Sequence, residues 1–228
     1  MSRMTRSALI SFFILPFISS YAQYDAECFN NTKKQIKLAI EEEFSRPTDS
    51  VRFRDSLYIG GVMRYVDTVI YRYQYDANPI VQRIVGCRMP DFTFFTINKD
   101  EMSVNAISSD FTLITFSSTT YGDVCNARLQ QYCRLKKALK DSLTVINIFE
   151  DPDKKVIDYA MNYESNVEFV ANADVLTSRY SLNTGAQIFL LDRYKNIIYI
   201  NAGQRYRDTP DEIYSELLDK MREYSCSD

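Results

Sequence analysis

Two stretches of the chain differ in how apolar and polar side chains alternate. Residues 51–75 alternate between the two types and are rich in β-branched and aromatic residues, which predicts strands folded back as a hairpin or small meander. Before them, an apolar stripe with helical spacing predicts a helix over residues 31–44, capped by one of the polar residues 30–32. Residues 23–80 are therefore predicted to form a small α+β appendage ahead of the main domain.

From about residue 85 onward, short apolar runs alternate with stretches of helical periodicity. Continuous apolar runs at Phe111–Phe116 and Leu143–Phe149 are typical of buried strands, and each is followed by a predicted helix. This order predicts an α/β domain over residues 85–228, with a mixed sheet flanked by helices. The predicted helices are Cys125–Lys140, Asp151–Tyr163, Ala173–Tyr180 and Thr209–Tyr224, and the other predicted strands are Phe92–Ile97, Met102–Asn105, Val167–Val170, Gln187–Leu191 and Ile197–Asn201.

The first residues have the pattern of a cleavable export signal. Arg3 and Arg6 precede an apolar run that is too short to cross a bilayer, and Ser20 and Ala22 provide the small residues that a signal peptidase requires. Residues 1–22 are therefore predicted to be a signal peptide cleaved near Ala22. We expect an exported, periplasmic protein without a stable membrane anchor.

Composition excludes several kinds of chemistry. The sequence contains no histidine, so Ser-His and Cys-His nucleophile pairs and His-ligated zinc sites are ruled out. The net charge of −3 does not favour binding to nucleic acid. The acidic cluster of Asp151, Asp153 and Asp158 is explained by a helix start at Pro152, so we predict no metal site and no cofactor. Five cysteines remain as the most distinctive reactive groups.

Several strings, taken in order, resemble the thioredoxin fold in its exported TlpA-type and redoxin (peroxiredoxin-like) branches. VGCRMPDF at residues 85–92 looks like the opening segment of that family, and LITFSSTT at 113–120 resembles the strand that leads into its active loop. FLLD at 189–192, followed by Ile197 and Ile198, is similar to the late hairpin. The resemblance implies a thioredoxin-like domain and a thiol-based activity.

The resemblance points to Cys125 as the candidate nucleophile, but the surrounding motif is degenerate. The family's oxidoreductases carry C-x-x-C where the loop meets a helix, whereas YGDVC at residues 121–125 contains one cysteine. The redoxin branch places Thr or Ser three residues before its reactive cysteine, and Gly122 stands there. The position of the family's cis-proline falls on Ala186, which predicts a trans peptide and a different loop.

The reactivity of Cys125 stays open at the level of sequence. A helix N-terminus and Arg128 one turn later would favour a thiolate, whereas Asp123 as N-cap would oppose it. The alternative is a small, half-buried structural residue. Cys133 is the candidate resolving thiol, although its position eight residues along one helix also fits a core residue beside Leu129 and Tyr132.

The remaining cysteines suggest a structural disulfide. Cys28 and Cys226 lie near opposite ends of the exported chain, and an oxidising compartment would allow a bond between them. Cys87 is an alternative partner for either of them. Because the number of cysteines is odd, at least one thiol is left for another role.

These observations support two hypotheses about function. The first is an exported thiol-disulfide oxidoreductase or thiol peroxidase-like redoxin that uses Cys125 and acts on disulfides of other proteins or on a peroxide. The second is a non-catalytic binding or scaffold module of the cell envelope, for which the Tyr-rich appendage would provide a binding face. Neither the partner nor the oligomeric state follows from the sequence.

Overall fold

The computed structural model describes residues 27–42, 80–163, 167–182, 187–202 and 210–225. The predicted signal peptide 1–22, the predicted strands of 51–75, Ala186 and Cys226 lie outside these described residues. No helix in the described ranges is both long and apolar enough to cross a membrane.

Helices and strands alternate along the described chain much as the apolar pattern predicts. Leu143–Phe149 and Gln187–Leu191 have the predicted bounds, and the other predicted strands and helices of the main domain are present with ends shifted by a few residues. The elements are α1 (27–42), β1 (Thr93–Phe95), β2 (Glu101–Ser103), β3 (Phe111–Ser117), α2 (Gly122–Leu139), β4 (Leu143–Phe149), α3 (Asp153–Ala160), β5 (Glu168–Val170), α4 (Asp174–Tyr180), β6 (Gln187–Leu191), β7 (Ile197–Ala202) and α5 (Pro210–Ser225).

A five-stranded mixed sheet forms the centre of the fold, with strand order β5-β4-β3-β6-β7. Strand β3 pairs parallel with β4 and antiparallel with β6, and β4 pairs parallel with β5, while β6 and β7 form an antiparallel hairpin. Strands β1 and β2 make a separate antiparallel pair. The predicted mixed sheet flanked by helices is therefore confirmed.

Side chains alternate between the two faces of the sheet along each strand, and each face is buried in its own apolar core. Ile114 and Phe116 of β3 belong to one apolar core, in which α1 and α4 also pack, whereas Leu113 belongs to the other, together with α2, α3 and α5. Each fully buried large apolar side chain contributes about 1.5–3 kcal/mol to folding. This two-sided burial explains why β3 and β4 have continuous apolar runs rather than an alternating pattern.

Helix α1 belongs to the core of the main domain, although the sequence assigned it to the appendage. Phe29 and Ile36 are fully buried in the same core as β3, and the Lys33 ammonium donates hydrogen bonds to the carbonyls of Ser178 (3.1 Å) and Arg179 (2.6 Å) near the end of α4. Residues 27–30 are already helical, so the predicted cap within residues 30–32 is wrong. Burial of Phe29 favours extension of the helix beyond that local capping signal.

A disulfide joins α1 to the segment that precedes β1. Cys28 is bonded to Cys87, with their Cα atoms 5.7 Å apart. The predicted pairing of Cys28 with Cys226 is therefore corrected, and the alternative pairing through Cys87 is observed. The reason is that α1 packs beside the start of the main domain, which brings two cysteines separated by 59 positions into bonding distance.

Helix α3 is shorter than predicted. It was expected to reach Tyr163, but it ends at Ala160. The Asn162 side chain donates to the carbonyls of Asp158 (3.1 Å) and Tyr159 (3.3 Å), so it satisfies carbonyl groups that a further helical turn would have used.

Candidate functional site

Cys125 lies in the first turn of α2, directly beyond the end of β3. A short turn at Thr119–Tyr121 connects the two elements. The Cys125 sulfur lies 3.3 Å from the hydroxyl oxygen of Ser117, the last residue of β3, and the cysteine is 8% exposed. The candidate nucleophile is therefore almost buried at the N-terminal end of a helix. The side chain of Asp123, the predicted N-cap, lies outside the described part of the structure.

A small cavity adjoins the Cys125 thiol between the sheet and helices α2 and α3. Its volume of about 20 Å³ leaves room for one or two water molecules. Its walls include apolar side chains of the second core, but polar groups also line it: Thr115, Ser117, Arg128, Asn147, Tyr159 and Gln187. Cys125 and these polar groups form the candidate site.

Arg128 is the most unusual member of this site. It is 5% exposed, and no hydrogen bond or ion pair to it is found among the described residues. Its charge acts on Cys125 and Tyr132, both of which also line the cavity. A guanidinium group cannot lose its proton in a protein, so a full positive charge is buried beside the thiol.

Opposing effects act on the ionisation of Cys125. Burial raises the pKa of its thiol above the usual value, whereas the Ser117 hydroxyl and the Arg128 charge act to lower it, and burial dominates. Burial likewise raises the pKa values of Tyr132 and Tyr159, so both phenols are neutral at physiological pH. The thiol is therefore mainly protonated near neutral pH, with a cation available to stabilise the thiolate that forms.

The loop between β3 and α2 is held by the Asp151 carboxylate. Asp151 accepts hydrogen bonds from the Ser118 hydroxyl (2.9 Å) and the Thr119 backbone N–H (2.8 Å), and Lys155 lies 3.9 Å away. Burial would raise the pKa of Asp151, but these hydrogen bonds and the lysine charge outweigh it and hold the pKa below its usual value. Asp151 therefore positions the loop that carries the thiol.

We expect Asp151→Ala to destabilise the protein by about 2 kcal/mol at pH 7, because half-buried donors of the loop lose their acceptor. Because the pKa of Asp151 is lowered on folding, its stabilisation is present above pH ~4 and is lost as the pH falls below that value. Urea denaturation should show a smaller difference between the wild type and the variant at pH 3 than at pH 7. Asp158→Ala, at an exposed position of α3, is the control. An equal loss in the control would contradict this role.

Cys133 does not complete the site. Both cysteines lie in the continuous helix α2, where eight residues correspond to a rise of roughly 12 Å, so the Cys133 sulfur cannot reach Cys125 without unwinding the helix. Cys133 packs against the second core, which contains Leu129 and Tyr132. This agrees with the alternative interpretation of Cys133 as a core residue. Cys87 cannot serve as a resolving thiol either, because it is bonded to Cys28. The predicted resolving role of Cys133 is not supported by this geometry.

Two features of the site were missed at the level of sequence. Ser117 provides the hydroxyl beside the thiol that the family pattern would place at position 122, where this chain has glycine. Thr115, Asn147 and Gln187 place polar side chains inside buried strands, where Thr115 donates to Asn147 at 2.9 Å. Polar residues within otherwise apolar strands are the signal that could have indicated a polar pocket, because buried polar groups require partners.

Comparisons with known proteins identify the fold but not a family. No protein-family model and no curated protein matches the sequence. A putative thiol:disulfide interchange protein DsbE from Chlorobium tepidum has a TM-score of 0.52 at 13% identity, covering 60% of this chain and 96% of that one. Peroxidoxin BcpB from Mycobacterium tuberculosis has a TM-score of 0.51 at 14% identity, covering 60% and 96%.

The thioredoxin domain of a thiol-disulfide oxidoreductase from Bacteroides vulgatus has a TM-score of 0.50 at 17% identity, covering 59% of this chain and 96% of that one. At these identities the similarity establishes the fold alone. The chain has a thioredoxin-like fold, as the resemblance implied.

Proposed function

We propose that this protein is an exported thiol-dependent oxidoreductase that uses Cys125 as its nucleophile and reduces a small oxidant such as a hydroperoxide. The observation that carries this proposal is the placement of Cys125 at the start of α2, where it lines a small cavity together with the almost fully buried Arg128. The structural neighbours named above include proteins described as a peroxidoxin and as thiol-disulfide oxidoreductases, which supports chemistry of this class.

Each chemical task in the proposed reaction has a candidate residue. The Ser117 hydroxyl, 3.3 Å from the sulfur, stabilises the thiolate by hydrogen bonding. Arg128 stabilises both the thiolate and the negative charge that develops on the departing oxygen. Ser117 substitutes for the Thr or Ser of the redoxin pattern, at a position that the sequence motif does not include.

The size of the cavity favours a peroxide over a disulfide of another protein. Its volume of about 20 Å³ accommodates the two oxygen atoms of hydrogen peroxide, and the thiol is only 8% exposed. In the proposed reaction the thiolate attacks one peroxide oxygen, the O–O bond breaks, and the leaving oxygen takes up a proton to become water or an alcohol. The sulfur loses two electrons and becomes a sulfenic acid.

The second half of the reaction requires thiols from outside the chain. Because Cys133 lies out of reach and Cys87 is in a disulfide, an external thiol would condense with the sulfenic acid, release water and form a mixed disulfide. A second external thiol would then restore Cys125. A small thiol or the dithiol of an envelope protein would supply these electrons.

Export rests on the predicted signal peptide of residues 1–22, with cleavage near Ala22. An observed disulfide between Cys28 and Cys87 is consistent with an oxidising compartment. Mass spectrometry of the protein purified from its source would test the proposal, since the N-terminal peptide should begin at or near Gln23. A full-length N-terminus would contradict it.

The proposed activity is tested by treating the reduced protein at pH 8 with stoichiometric hydrogen peroxide and trapping the sulfenic acid with dimedone. We expect the adduct on Cys125, formed at least tenfold faster than on free cysteine after correction for thiolate fraction. Cys125→Ser should abolish the adduct, whereas the matched control Cys133→Ser should retain it. A Cys125 rate no greater than that of free cysteine would refute the enzymatic proposal.

That outcome would leave the second candidate, a non-catalytic binding or scaffold module. The observation that favours it is the burial of Cys125, which raises the pKa of the thiol and limits access to it. A structural thiol would react slowly at all pH values below its raised pKa, and its replacement by alanine would change stability but no chemical activity.

A further inference from the structure

Arg128 presents an electrostatic problem that the proposed reaction does not solve. The residue as a whole is 5% exposed, and the described residues provide neither an ion-pair partner nor a hydrogen-bond acceptor for its guanidinium. Burial of an unpaired charge costs several kcal/mol. In the resting protein Cys125 is mainly protonated, so the thiol does not supply the missing negative charge.

The buried carboxylate that holds the loop before α2 is already engaged. The Asp151 carboxylate accepts hydrogen bonds from Ser118 and Thr119 and lies beside Lys155. The cavity itself is lined by neutral polar groups of Thr115, Asn147 and Gln187, together with the Ser117 hydroxyl and the neutral Tyr159 phenol. Among the described residues, the cation thus adjoins a small cavity whose lining includes neutral polar groups but no carboxylate.

We infer that this cavity is a binding site for a small monovalent anion, with a halide as the ligand that fits its size. A cavity of about 20 Å³ holds one or two atoms the size of a halide ion or a water oxygen. Phosphate, sulfate and larger carboxylates are too large for it. The guanidinium supplies the charge, and the Ser117 hydroxyl at the cavity wall supplies a further donor. This inference does not depend on whether Cys125 is catalytic.

Binding of an anion here has a consequence for the thiol. The bound halide and the Cys125 thiolate compete for the same cation, so each weakens the other by the same factor. A saturating halide concentration should therefore slow alkylation of Cys125 at a fixed pH. The thiol becomes less reactive in a halide-rich compartment and more reactive when the anion leaves.

The test measures thermal stability in bromide against gluconate at constant ionic strength, because gluconate is too large for the cavity. At a bromide concentration ten times the dissociation constant, we expect Tm to rise by about 3–6 °C along a saturating curve. Arg128→Met should abolish this increase. Arg134→Met is the matched control, since Arg134 lies on the same helix but is 62% exposed, and it should respond like the wild type.

Bromide also scatters anomalously, so crystals of the wild type grown in bromide provide a second measurement that does not require the variant to fold. An anomalous peak is expected within contact distance of the Arg128 guanidinium. No peak there, or a Tm increase that does not saturate or is equal in Arg128→Met, would overturn it. If sulfenic acid never forms at Cys125 but bromide binds as described, the proposed activity fails and this inference stands.

Discussion

Replacing Cys87 with serine is expected to lower the free energy of unfolding by about 4 kcal/mol, which is the largest stability effect predicted for a single residue of this protein. The bond between Cys28 and Cys87 closes a loop with a sequence separation of 59. Loss of a cross-link over such a loop increases the entropy of the unfolded chain by an amount equivalent to about 4 kcal/mol. In a chain of this size, Tm should fall by about 8–16 °C.

The same experiment distinguishes the observed pairing from the predicted bond between Cys28 and Cys226. Cys28→Ser and Cys87→Ser should destabilise equally, and dithiothreitol should lower the midpoint of the wild type to that of the variants. Cys226→Ser and Cys133→Ser should have little effect. If Cys226→Ser instead matched Cys28→Ser while Cys87→Ser was neutral, the bond would be the one between the chain ends.

Loss of the disulfide should not release α1 completely. Phe29 and Ile36 remain buried against the sheet, and Lys33 retains its two carbonyl acceptors near the end of α4. Burial of two large apolar side chains contributes about 3–6 kcal/mol. The reduced protein is therefore expected to keep the helix in place below its lowered Tm, which circular dichroism at 25 °C would show as an unchanged helical signal.

Apolar periodicity predicts the central fold because burial decides it. The runs at Leu143–Phe149 and Gln187–Leu191 have the observed bounds, since both strands are buried on two faces and few other structures can bury every side chain of such a run. The positions at which helices begin and end are less predictable. The start of α1 depends on the burial of Phe29, and the end of α3 on the Asn162 side chain, and both involve contacts that local patterns do not encode.

The candidate site is less predictable than the fold because its members come from separate elements. Cys125 was identified from its place in a family pattern, and Arg128 was noted one turn later. The contact with Ser117 depends on the path of the turn between β3 and α2, and the pocket depends on the packing of α3 against the sheet. Whether Arg128 has a counter-ion is a property of the whole fold, so the sequence did not reveal that it has no ion-pair partner among the residues that the structure describes.

The importance of that charge for the thiol can be measured directly. In a halide-free buffer at pH 7.5, Arg128→Met is expected to slow alkylation of Cys125 several-fold. Removal of the nearby cation raises the pKa of the thiol further, so the fraction present as the reactive thiolate falls. The rate should be followed with iodoacetamide from pH 6 to 10, in a background with both Cys133→Ser and Cys226→Ser, which leaves Cys125 as the reporting thiol.

Stability measurements distinguish an effect of the Arg128 charge on the thiol from a purely structural role. If the charge acts on the thiol, Arg128→Met should maintain or increase the stability in gluconate, because an unpaired buried cation is costly, while it lowers the reactivity of Cys125. Arg128→Lys retains the charge and should recover part of the rate, and Arg134→Met should leave it unchanged. Variants that lose stability and reactivity together, with no recovery by lysine, would show that Arg128 acts by packing rather than by its charge on Cys125.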